Sequence, residues 1–104
     1  MTNFHFAYTG GAMLTTPEEQ AAAMAAWGAW FGTLGSAVVD GGNPFGASVS
    51  LAADGSSTTG GTSGLTGYSI IAADSLASAA DLAKGCPVLS GGGAVEVYEI
   101  VPAM

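Results

Sequence analysis

The stretch from Gly67 to Ile100 constrains this chain most tightly, because strand, cap, helix, stop and strand signals follow one another without a gap. Gly67-Tyr68-Ser69-Ile70-Ile71-Ala72-Ala73 is rich in β-forming residues and lies between a glycine and Asp74-Ser75, the punctuation expected of a strand. Asp74 or Ser75 can accept a hydrogen bond from a free N–H of the next turn, which predicts a helix from that point. Leu76, Ala79, Ala80, Leu82 and Ala83 then recur at helical spacing and give one apolar face. Lys84 sits in the last turn, where a cation suits the helix dipole; Gly85 is placed for a left-handed cap, and Pro87 for a stop. Ala94 to Ile100 alternates, with Val95 and Val97 on one face and Glu96 and Tyr98 on the other.

The first half reads as a longer version of the same pairing. Asn3 to Tyr8 predicts a strand with Phe4, Phe6 and Tyr8 on one face and His5 and Ala7 on the other. After a short loop containing Met13 and Leu14, Thr16-Pro17-Glu18-Glu19 is the most specific local signal in the chain. It supplies an N-cap, a proline at the first helical position and a capping-box glutamate. The helix that it opens is expected to reach Leu34 and end at Gly35. Met24, Trp27, Gly28, Phe31 and Leu34 form its apolar stripe, widened by Ala23, Ala26 and Trp30, with almost no charged face beyond the first turn. A helix of this kind calls for cover on more than one side, from its own sheet and from a second chain.

Ala37 to Asp40 and Ala47 to Ala52 read as further strands, and Asp54-Gly55 as a tight turn. Ser56 to Gly64, a Gly/Ser/Thr tract with no hydrophobic period, reads as either a short strand plus loop or a mobile segment, with the loop favoured. The order β, α, β with a hairpin, β, α, β corresponds to an α+β domain of ferredoxin-like split βαβ type with an extra β-hairpin, formed by residues 1–104 as one unit.

Composition excludes several function classes. The chain has 104 residues, 49% hydrophobic and only 9% charged, with a formal charge of -7 and a single Lys or Arg. No basic cluster exists to neutralise phosphates, so nucleic acid is not an expected partner, and polybasic attachment to an anionic membrane fails for the same reason. Ala21 to Val39 is uncharged and contains Gly28-x-x-x-Gly32, yet no Lys or Arg flanks it, which argues against a membrane span. Cys86 is alone, so no intramolecular disulfide can form; with no basic n-region at the start, a reducing, cytoplasmic location is expected.

Several segments together resemble one family. Thr16-Pro17-Glu18-Glu19, Trp27-x-x-Trp30, Gly41-Gly42, Gly67-Tyr68-x-Ile70-Ile71-Ala72-Ala73-Asp74-Ser75-Leu76, Ala83-Lys84-Gly85-Cys86-Pro87 and Val95-Glu96-Val97 look, in order and spacing, like the YCII-related family, DGPF-domain branch. The resemblance covers most of the chain. It implies a homodimer whose sheets face one another in a dimeric α+β barrel with a cleft, and in some members a His and Asp pair placed for proton transfer. Two departures bear on that pair: the Asp-Gly-Pro-Phe segment is missing from the corresponding Thr58 to Gly64 region, and the first helix carries tryptophans and no histidine.

The residues themselves offer three functions. The first is a small-molecule binder, in which Tyr8, Trp27, Trp30, Tyr68 and Tyr98 stack on an apolar or aromatic ligand in the cleft. The second is a small enzyme with His5 as general base and Glu96 or another acid holding its tautomer, for which the resemblance implies a lyase or dehalogenase-like isomerase. The third is a protein-interaction or regulatory module. One histidine and scattered acids miss metal-ligand spacing, and neither Gly91-Gly92-Gly93 nor Gly10-Gly11 opens a phosphate-binding helix with a lysine, so no metal or cofactor is expected.

Overall fold

Alternation of Phe4, Phe6 and Tyr8 along the first strand fixes the architecture, because a strand with three aromatic rings on one face must bury that face. The computed structural model describes residues 1–11 and 14–103, so the loop expected at Met13 lies outside the described residues. Strand β1 (Thr2–Thr9) is followed by helix α1 (Pro17–Leu34), a 3-10 turn (Gly35–Ala37) and strand β2 (Val38–Asp40). A two-stranded ribbon comes next, β3 (Val49–Leu51) with β4 (Ser57–Thr59), and then β5 (Leu65–Ala73), α2 (Leu76–Ala83), α3 (Pro87–Ser90) and β6 (Ala94–Glu99).

The fold is α+β. Its main sheet has the order β2-β5-β1-β6, and every neighbouring pair is antiparallel. Phe4 stands opposite Ile71, and Phe6 lies between Ser69 and Val97, so these side chains share one face. His5, Ala7, Ile70, Tyr68, Glu96 and Tyr98 share the other. The aromatic face packs with Trp30 and Leu34 of α1, Ala79 and Ala83 of α2, Cys86 and Val88. All three helices therefore lie on one side of the sheet. The Cα trace measures 44 × 43 × 18 Å, and 18 Å leaves room for only two layers about 10 Å apart.

The helix starts follow their sequence signals. Thr16 is the N-cap of α1 and accepts from the Glu19 N–H at 3.1 Å, with Pro17 in the first turn. Ser75, of the two candidates, caps α2 by accepting from the Ser78 N–H at 3.1 Å. No helix among the described residues is long and apolar enough to cross a membrane.

Five local expectations need correction. Gly85 is not left-handed: its N–H bonds the Leu82 carbonyl in a tightened last turn, and its missing side chain leaves room for Trp30. Pro87 opens α3 instead of only ending α2, as suits a proline at a first helical position. Ser57–Thr59 is a strand, paired with β3 through backbone groups that need no hydrophobic period. The strands expected over residues 37–40 and 47–52 are shorter, the first because Gly35–Ala37 forms the 3-10 turn. Finally, α1 is turned towards Trp30: Trp30 and Leu34 are buried, whereas Met24 is 76% exposed and Gly28 faces open space.

Candidate functional site

On the helix side, the first half of α1 and the C-terminal end of β1 do not close on one another. Small residues make that gap. Ala23 and Ala26 present only methyl groups between Glu19 and Trp27, and a cleft of about 790 Å³ opens beneath them. Trp27 and Phe31 form one wall, Tyr8 the floor, and the Gly41–Pro44 loop and Val88 the far side.

The loop wall is backbone-limited. Gly42 has φ +74°, and a Cβ there would run into the Tyr68 carbonyl oxygen. Its N–H is held by Asp40 Oδ1 at 2.8 Å, and Pro44 bridges to Gly67. These contacts bring the loop hard against β5 and set the mouth of the cleft.

Polar groups at the floor are satisfied in a chain. Tyr8 Oη donates to Ser69 Oγ at 2.8 Å, and Ser69 Oγ donates to the Gly41 carbonyl at 2.8 Å. Ser69 is fully buried, yet no buried side-chain N or O among the described residues lacks a partner. Burial pushes the Tyr8 phenol well above the usual tyrosine range, and the Cys86 thiol beside it is also pushed up by burial. Neither group is an anion near neutral pH. Around them the rings form a cluster: Tyr8 meets Trp27 edge to face at 5.2 Å, and Trp27 lies 5.7 Å from Trp30 and 5.8 Å from Phe31.

The expected ligand-binding aromatics divide between the two faces of the sheet. Tyr8 and Trp27 line the cleft; Trp30 is one layer deeper, in the core, its Nε1 donating to the Leu82 carbonyl at 3.2 Å. Tyr68 touches the edge of the cleft, but its ring stacks on His5 at 5.7 Å and its Oη bonds Asp40 Oδ2 at 3.2 Å. Tyr98 lies across the sheet, donating to Glu96 Oε1 at 2.8 Å, and that carboxylate raises its phenol.

His5 and Glu96 do share a face. His5 stands opposite Tyr98, and Glu96 opposite the next alternate residue, Ala7. That face is the one away from the cleft, and Glu96 is engaged by Tyr98 while His5 lies against Tyr68. Phe31 and the Gly41–Pro44 loop line the cleft although they are not among the expected ligand-binding residues, and Ser69 supports the floor from behind through its bond to Tyr8. The alternation of β5 with Ile71 would have placed Ser69 inward, once the pairing with β1 was known. Among the described residues no three His, Cys, Asp or Glu side chains gather as metal ligands would. No protein-family model, curated protein or solved structure matches this chain.

Proposed function

We propose that this chain is a small-molecule-binding domain and that its ligand occupies the cleft between α1 and the sheet. The cleft itself carries this reading: about 790 Å³ falls within the roughly 300–1,000 Å³ of small-molecule sites, and aromatic walls over a few fixed polar groups are the usual makeup of such sites. The Tyr8 hydroxyl at the floor is already bonded to Ser69 behind it, so an apolar body can cover the floor without stranding that donor. The enzyme alternative loses support from geometry, since His5 and Glu96 lie across the sheet from the cavity.

The proposal extends to the assembly. The strand order β2-β5-β1-β6 with two helix-bearing crossovers supports a ferredoxin-like domain with an added hairpin. The sheet face away from the helices, with half-buried Ile70 and exposed Tyr98 on it, favours a homodimer of facing sheets, as the YCII-related resemblance implies. A cytoplasmic setting belongs to the same reading.

Nuclear magnetic resonance tests the central claim. On titration with a neutral aromatic probe such as naphthylmethanol, the Trp27 indole N–H signal should move while that of Trp30, hydrogen-bonded in the core, stays. Ala26→Phe, at an exposed helical position that borders the cleft, should abolish the response without unfolding the chain. If Trp27 is unmoved by every probe, the cleft is not a binding site.

A further inference from the structure

The charge distribution around the cleft narrows the ligand. Among the described residues, Glu19 is the one acidic or basic side chain on its lining, carried there by the first turn of α1. The only lysine, Lys84, is elsewhere, exposed and paired with Asp81 Oδ1 at 3.0 Å, and the chain contains no arginine. Helix α1 offers an anion little in compensation. Pro17 has no N–H, the Glu19 N–H goes to Thr16 Oγ1 and the Gln20 N–H to the Thr16 carbonyl, while Glu18 and Glu19 already answer the helix dipole. A carboxylate or phosphate entering here would meet a like charge at the rim, a net charge of -7 around it and no counter-ion.

A cation meets the reverse. The Glu19 carboxylate uses one oxygen, Oε1, for Thr16 and Thr15, and Trp27, Tyr8 and Phe31, aromatic rings whose faces attract cations, line the cleft with it. We infer that the cleft selects a flat apolar molecule carrying a basic nitrogen, its ring system against Trp27 and its ammonium at Glu19. This rests on the cleft being the binding site, and it adds the chemical class.

Three matched probes separate the two claims: naphthylmethylamine, naphthylmethanol and naphthoate, each titrated by calorimetry and by the Trp27 indole signal. The amine is expected to bind about tenfold more tightly than the acid, with the alcohol between, as one partly exposed charge pair made and one like-charge contact avoided would give. Glu19→Gln, which keeps a capping-box residue, should remove most of the amine's advantage and leave the alcohol within twofold. Glu18→Gln makes the same change in net charge off the lining and should leave the ranking intact. Equal binding of all three probes, a preference for naphthoate, or an amine preference that survives Glu19→Gln overturns the inference while the cleft still binds. Loss of every response, including that to the alcohol, overturns the cleft reading as well.

Discussion

Trp30 and Leu82 are joined by a single hydrogen bond, indole Nε1 to carbonyl oxygen at 3.2 Å, and it ties the C-terminal part of α1 to the last turn of α2. The bond depends on Gly85. A Cβ there would stand 3.2 Å from Trp30 Cδ1 and 3.3 Å from Nε1, and the buried ring has little room to swing aside. Gly85→Ala sets about 1–3 kcal/mol of overpacking against about 0.4–1 kcal/mol gained through the unfolded chain. The expected result is a net loss of about 1 kcal/mol, seen as a lower urea midpoint at constant slope. In a Trp30→Phe background the same substitution should cost less, because the close neighbour is gone.

Gly42 should tolerate nothing larger. Its φ of +74° and the Tyr68 carbonyl in its way act together, so Gly42→Ala must move the loop or strain the backbone, at about 3 kcal/mol. The loop is also a wall of the cleft. Binding of naphthylmethanol should therefore fail in this variant even at temperatures where circular dichroism shows it folded, an outcome that a merely less stable protein would not give.

Alkaline pH should weaken the fold through Tyr8. Its folded phenol titrates above its ordinary 10.0 because it is buried. The stabilising contribution of the neutral phenol is therefore complete below pH 10 and is lost as pH rises from there towards the folded value, by up to about 1.4 kcal/mol per pH unit. Cys86, raised for the same reason, acts in the same direction from its ordinary 9.0. Tyr8→Phe keeps the ring and removes the ionisation, so urea midpoints measured between pH 8 and 11 should fall less steeply in the variant. An unchanged slope would mean that Tyr8 is not the group responsible.

How far these relationships can be read in advance depends on whether they are local. Thr16 and Ser75 each cap an N–H three positions on, Pro17 acts through its own fixed φ, and the helices begin where those residues place them. The side of the sheet that each aromatic occupies depends on pairing across the fold: Tyr8 and Tyr68 look equivalent in the chain, but Ala7 stands opposite Tyr68 and Tyr8 opposite Gly67, so their rings point to opposite faces. The cleft is harder still to anticipate. It arises from what Ala23 and Ala26 fail to fill and from how closely the Gly41–Pro44 loop approaches Gly67, and neither has a hydrophobic period to mark it. The β3–β4 ribbon is held by bonds such as Ser50 Oγ to the Gly60 carbonyl at 2.8 Å, which a Gly/Ser/Thr tract does not advertise.

Ile70 tests the proposed dimer. It lies half-buried on the sheet face opposite the helices, facing His5 across β1, so a charge there should leave the core of Phe4, Phe6 and Ile71 intact while making a face-to-face contact with a second sheet costly. Ile70→Lys is therefore expected to remain folded and to bind naphthylmethanol as before, while light scattering at micromolar concentration falls from twice the chain mass to one. Salt supplies a second check. Two copies each of charge -7 repel one another, and an association driven by apolar area should tighten as salt screens that repulsion, whereas one held by ion pairs would loosen. A single-chain mass for the unmodified protein at every salt concentration would mean that the sheet face is wetted by solvent, and the dimer would have to be abandoned.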